Sequence, residues 1–184
     1  MVKLFKSIAL LFLSTMVFCS IVARADVLIN SKNSFIDTRT GITTTIKGDF
    51  IVVTLKPNGA GRYFYVDSYK AGNTAIWSNP IAAGKPPKFT TPSGIYKVYY
   101  KKRKHMSTKY PEPSGINNMN YSMFFKGGYA IHQGNPYGLS HGCIHLSKRD
   151  ARKVFETSKH GITVIVTRSS YIPFLTKNEF KVFF

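Results

Sequence analysis

Negative charge is scarce in this chain: 8 Asp and Glu stand against 26 Lys and Arg, a formal charge of +18. An excess of that size implies an anionic partner. Nucleic acid is the ordinary partner of a basic protein, yet neither a recognition-helix pattern nor an RNA-binding aromatic motif is present, so none is expected. Cysteine is scarcer still, with Cys19 and Cys143 alone, which excludes a fold stapled by disulfides. There is no paired Cys-x-x-Cys and no His-Glu-x-x-His. Zinc held by His132, His141, Cys143 and His145 is therefore the weaker reading of those residues, and neither metal nor cofactor is expected. The apolar run from Ile8 to Val22 is short of the ~20 residues a membrane span needs.

What is present at the N-terminus has a pattern of its own. Lys3 and Lys6 precede the apolar run, and Ala23-Arg24-Ala25 forms a small-x-small cleavage site before Asp26. Residues 1–25 thus read as a secretory signal, with an uncleaved anchor as the alternative. Bulky Phe18 fits lipoprotein processing at Cys19 poorly, so Cys19 is expected to leave with the signal. Loss of Lys3, Lys6 and Arg24 leaves 23 basic residues against 8 acidic, a formal +15. The expected location is the periplasm or cell envelope, where wall polymers and lipid head groups are the abundant polyanions. A free thiol is a liability in an oxidising compartment, which favours Cys143 as a nucleophile over a structural filler. An apolar content of 43% allows one domain with a real core.

The chemistry-bearing residues crowd into Ile131-His-Gln-Gly-Asn-Pro-Tyr-Gly-Leu-Ser-His-Gly-Cys-Ile-His-Leu146. A thiol nucleophile needs a base to make thiolate, and N–H donors to hold the oxyanion formed when a carbonyl is attacked. Cysteine, histidines and turn-permitting glycines all lie between His132 and His145.

The Ser140-His141-Gly142-Cys143 run, with Ile131-His132 upstream, resembles the signature of the L,D-transpeptidase (YkuD-like) catalytic domain. The resemblance implies Cys143 as acyl-accepting nucleophile, His132 as its base, and Ser140, His141 and Gly142 as the frame of the oxyanion site, with His141 counted among the catalytic residues. Backbone N–H groups around His141, Gly142 and Cys143 would hold the oxyanion. A carbonyl near Gln133 or Gly134 would orient His132. Tyr121, His145 and Gly134 are the expected substrate-contacting positions. Two departures stand out: the loop between His132 and Ser140 holds only residues 133–139, and position 145 is His where the family usually has Arg or Asn.

The rest of the chain fits that frame. Residues 26–49, rich in Asn, Ser and Thr, read as a leader with one short strand at Val27-Leu28-Ile29. Phe50 to Leu55 and Arg62 to Val66 flank a Pro/Asn/Gly turn and read as a hairpin. Ala75 to Ile81 reads as a third strand. Thr91-Pro92-Ser93-Gly94 leads into a core strand, a second point of resemblance; Pro presets φ and Gly permits the bend, so a turn is reason enough and no catalysis is assigned there. Lys101 to His105 reads as a solvated loop, with an electrostatic handle for an anionic polymer or membrane as the functional option. The irregular segment 106–120 is the expected lid or binding loop. Tyr121 to Phe125 and Tyr129 to His132 form a hairpin about Gly127-Gly128 that delivers His132 at a strand end. Ser147 and Asp150 open a helix of about Lys148 to Lys159. Ile162 to Thr167 is a closing strand, and 168–184 a tail that packs back on the fold or offers an apolar surface.

The resemblance spans roughly Phe50 to Thr167, giving a catalytic domain at 50–167. It implies a mainly β, mixed barrel or sandwich with one main helix after the cysteine. It also implies attack on the peptidoglycan stem-peptide bond before a terminal D-alanine. The acceptor decides the product: a second stem amine gives a 3–3 crosslink, a protein lysine a wall-tethered protein, and water an L,D-carboxypeptidase. A basic wall-binding module without turnover is the reading from another class.

Overall fold

A computed structural model describes residues 26–68, 75–116, 118–175 and 180–182. The signal expected at 1–25 lies outside the described residues. Three short strands, β1 (Val27–Ser31), β2 (Ser34–Asp37) and β3 (Thr43–Thr45), make a small antiparallel sheet. The main sheet contains β4 (Phe50–Leu55), β5 (Ala60–Asp67), β6 (Ala75–Ala82), β7 (Gly94–Lys97), β8 (Tyr100–Lys102), β9 (Ser122–Lys126), β10 (Tyr129–Gln133), β11 (Ile144–Leu146), β12 (Thr163–Thr167) and β13 (Phe180–Val182). Its order is β7-β12-β4-β5-β6-β11-β10-β9-β8, with β13 beside β6. Among the described residues one α-helix, α1 (Lys148–Thr157), follows Cys143, with a single 3-10 turn at Ile172–Phe174 beyond it. The fold is mainly β, a curled half-barrel, as the resemblance implies.

Alternation between two cores explains why β4 and β12 are buried along almost their whole length. Ile51, Val53, Val164 and Val166 enter the core under α1, together with Ile131, Ile144, Leu146, Ala151 and Val154. Phe50, Val52 and Ile165 enter a second core with Val27, Phe35, Phe64 and Tyr171. A sheet covered on both faces needs no polar register. The second core also corrects the expected leader. Residues 27–45 form the small sheet, whose Val27 and Phe35 are fully buried; its polar residues had masked those anchors. The tail is tied to it as well, since the Tyr171 hydroxyl donates to the Lys32 carbonyl at 2.5 Å.

The helix start is built as its sequence implies and does a second job. Ser147 Oγ accepts from the Asp150 N–H and donates to Asp150 Oδ2 at 2.8 Å, while Asp150 Oδ1 accepts from Asn79 of β6 at 3.1 Å. The cap thereby docks α1 on the sheet. At the other end the Lys101 ammonium donates to the carbonyls of Phe155 and Ser158 at 2.6 and 2.5 Å, where a helix leaves carbonyls unsatisfied and favours a cation. The basic run is thus only partly solvated: Lys101 holds the helix end and Arg103 pairs with Glu156 at 3.0 Å, while Lys102 and Lys104 face solvent.

Candidate active site

Cys143 reaches its place through a pair of parallel strands. Pairing of Ile131 with Ile144 and His132 with His145 sets alternate side chains of β10 and β11 on opposite faces. Ile131 and Ile144 point into the core; His132 and His145 share the other face, their rings 4.9 Å apart at 67°. Cys143, one residue before Ile144, packs with Ala130, Met119 and Phe124. Ala130 is two residues before His132 on β10, so thiol and imidazole occupy the same face, one row apart.

The loop holding the thiol is pinned from several sides. Ser140 Oγ donates to the Cys143 carbonyl at 2.5 Å and accepts from the Gly142 N–H at 2.9 Å. The Ser140 N–H donates to the Ala83 carbonyl, and the Lys85 N–H to the Ser140 carbonyl, each at 2.9 Å. Gly142 has φ +124°, and a Cβ there would lie 2.6 Å from the Tyr129 ring, so only glycine fits. Its carbonyl accepts from the hydroxyl of buried Thr91 at 2.7 Å.

His132 is 4% exposed, and its Nδ1 lies 2.7 Å from the Gln133 carbonyl. A carbonyl only accepts, so Nδ1 carries the proton and Nε2 presents a lone pair. Burial, and then the neighbouring His145, push the His132 pKa down to about 4, against the opposing pull of the Gln133 carbonyl. Burial pushes the Cys143 thiol up, partly countered by the Ala130 N–H. The two therefore rest as neutral imidazole and neutral thiol. The thiol points at the Gly128 carbonyl, 3.7 Å away.

A cavity of about 390 Å³ opens over the sulfur, bounded by His105, Lys109, Tyr110, Met119, Phe124 and His141 among others. His105 comes from the end of the basic run, and Lys109, Tyr110 and Met119 from the expected lid after it. That segment is laced by Asn118, which accepts from the Ser107 N–H and donates to the Tyr110 carbonyl. Its Tyr110 ring stacks on His141 at 4.0 Å, and Phe89 meets His141 edge-on at 4.6 Å. A larger cavity of about 610 Å³, between Phe64, Ile81, Tyr137 and Ile172, contains neither Cys143 nor His132. The smaller one holds the thiol and is the candidate site. Among the described residues no group of three or more His, Cys, Asp or Glu side chains is arranged to hold a metal ion.

The family profile described as the L,D-transpeptidase catalytic domain (YkuD) matches residues 49–166. The chain belongs to this family. Among solved structures it is similar to an L,D-transpeptidase from Stackebrandtia nassauensis, at 26% identity and a TM-score of 0.52, over 65% of this chain and 55% of that one. It is also similar to an Enterococcus faecium L,D-transpeptidase mutant, at 25% identity and a TM-score of 0.51, over 68% and 55%. The match spans about half the length of each relative. Comparison with curated proteins finds no match.

Within this L,D-transpeptidase domain several expected substrate contacts lie elsewhere. Tyr121 does not border the Cys143 cavity. It lies just ahead of β9 at φ +58° and packs against the core that holds Met123 and Phe125, where it meets Phe155 at 5.9 Å under the Arg103 guanidinium. His145 does not border the cavity either: it leans on His132 and its Nδ1–H donates to the Gly138 carbonyl at 3.2 Å. Gly134 supplies room, since a Cβ there would strike the His145 ring at 2.6 Å. Of the expected oxyanion donors, the Gly142 N–H is committed to Ser140. Sequence reasoning misses Thr91: Thr-Pro-x-Gly reads as a turn, and nothing in a turn motif reveals a partner 51 residues away.

Proposed function

We propose that the chain is a cysteine L,D-transpeptidase acting on peptidoglycan stem peptides outside the inner membrane, where residues 1–25 would send it. The reading is carried by one arrangement: a thiol under a cavity, on the same strand face as a buried imidazole whose Nε2 is kept free of its proton. The Cys143 thiol gives its proton to His132 Nε2 as sulfur attacks the carbonyl before the terminal D-alanine. The C=O electrons move onto oxygen, and the N–H groups of Cys143 and His141 stabilise that charge. Collapse breaks the C–N bond, the D-alanine amine takes the proton from His132, and a thioester remains. An acceptor amine, whose proton passes to His132, then attacks the thioester, and Cys143 leaves as the thiol.

Incubation of the protein and of Cys143→Ala with tetrapeptide muropeptides, read by mass spectrometry, tests this. D-alanine release with dimers is expected from the native protein and nothing from the variant. Tripeptide without dimers, in the presence of amine acceptors, would make water the acceptor instead. Consumption by Cys143→Ala would remove the thiol from the mechanism.

A further inference from the structure

Thr91 lies far from the cysteine loop in sequence and is bonded into it in space. Its side chain is 1% exposed. Its hydroxyl accepts from the Gly84 N–H at 2.9 Å and donates to the Gly142 carbonyl at 2.7 Å. A hydroxyl has one proton, so acceptance from Gly84 on one side fixes donation to Gly142 on the other. Both neighbours are held independently. Gly84 bridges to Ser140, and a Cβ there would meet the Phe89 carbonyl oxygen at 1.6 Å and the Gly142 Cα at 2.8 Å. Thr91 itself is anchored through its carbonyl, which accepts from Arg168 at 3.1 Å.

The Gly142 carbonyl belongs to the peptide unit whose N–H is that of Cys143. The unit is planar and trans, so fixing the direction of the oxygen fixes the N–H in the opposite direction. A carbonyl that accepts a hydrogen bond also polarises its amide, making the N–H on its far side a stronger donor. We propose that Thr91 is a positioning residue for acyl transfer. The relay from Gly84 N–H through the Thr91 hydroxyl to the Gly142 carbonyl orients and polarises the Cys143 N–H, which receives the oxyanion. The inference rests on Cys143 being the nucleophile; it does not depend on which acyl donor or acceptor is natural.

The test separates attack on a carbonyl, which builds an oxyanion, from alkylation, which does not. With p-nitrophenyl acetate, Cys143 sulfur bonds to the acetyl carbon, p-nitrophenolate leaves, and the thiol proton passes through His132 to buffer. With iodoacetamide, sulfur displaces iodide and no oxyanion forms. Thr91→Val keeps the branched shape and deletes the hydroxyl; it is expected to slow acetylation of Cys143 by roughly 10-fold or more, the scale of one lost hydrogen bond at an oxyanion donor. Alkylation should stay within about twofold. Thr91→Ser, which keeps the hydroxyl, should restore acetylation.

Equal acetylation of Thr91→Val and native protein would overturn the inference and leave the nucleophile assignment standing. A parallel fall in both reactions, or no rescue by serine, would reduce Thr91 to a structural residue. No acetyl adduct on Cys143 of the native protein would overturn the nucleophile assignment and this inference with it. If Thr91→Val does not fold, the native protein still decides: the Thr91 hydroxyl proton should be slow to exchange and visible by NMR with a contact to the Gly142 segment, and rapid exchange would contradict the relay.

Discussion

Replacing the thiolate–imidazolium pair common in cysteine enzymes with two neutral groups has a measurable signature. His132 is pushed down to about 4 by burial first and by His145 second, with a smaller push from His105; both neighbours, once protonated, share its sign. At pH 6, two units above that value, about 1% of His132 carries a second proton. An ordinary thiol is about 3% ionised at pH 7, and burial takes Cys143 lower. General-base attack needs neutral imidazole and neutral thiol, so the rate constant for acylation should be flat from about pH 5 to pH 8 and fall only toward pH 4. The assay is stopped-flow release of p-nitrophenolate across pH 4–9, with the adduct mapped to Cys143. Alkylation by iodoacetamide, which consumes thiolate, should instead climb tenfold per pH unit throughout. His132→Asn should cost acylation roughly 10²–10⁴-fold. An alkylation plateau below pH 7, or an acid limb of acylation near 6.5, would refute the neutral resting pair.

The same burial makes stability depend on acid. The unfolded chain binds a proton at His132 near pH 6.5 and the folded one near 4, so stability falls as pH drops through that window, by roughly 3 kcal/mol from this residue. His145, also lowered by burial, adds in the same direction. Urea midpoints between pH 7 and 4 should show the slope, and His132→Asn should remove most of it. Gly142→Ala places a Cβ against Tyr129 at a positive φ and should cost about 1–3 kcal/mol by urea melting, with loss of acylation. Asp150→Ala strips the partner of Asn79 and of Ser147 at a 4% exposed position; a loss of about 2–3 kcal/mol is expected.

What was legible in the sequence was whatever had a local signature. Phe50 to Leu55 and Thr163 to Thr167 announce buried strands by composition, Ser147 with Asp150 announces the helix, and the Ser-His-Gly-Cys run names the thiol. What was hidden depended on contacts distant in the chain. The polar segment 26–49 conceals a sheet because Val27 and Phe35 alone reach into the second core from its first two strands with no exposure. Lys101 looks like part of a solvated run until α1 arrives to be capped. Tyr121 sits just ahead of β9 at φ +58°, and its ring meets Phe155; a left-handed residue breaks the alternation from which a side-chain direction could be read. His145 is recognisable as an unusual residue, but its role beside His132 follows only from the parallel pairing of β10 and β11.

In the proposed mechanism the Cys143 sulfur takes an acyl group from a stem peptide. Intact-protein mass spectrometry of the native chain, quenched in acid during reaction with a tetrapeptide stem, tests it most directly. An added mass of the tetrapeptide less D-alanine is expected, mapped by fragmentation to Cys143 and released by hydroxylamine as a thioester would be. An adduct on any other residue, or turnover with Cys143 free at every time point, would contradict it.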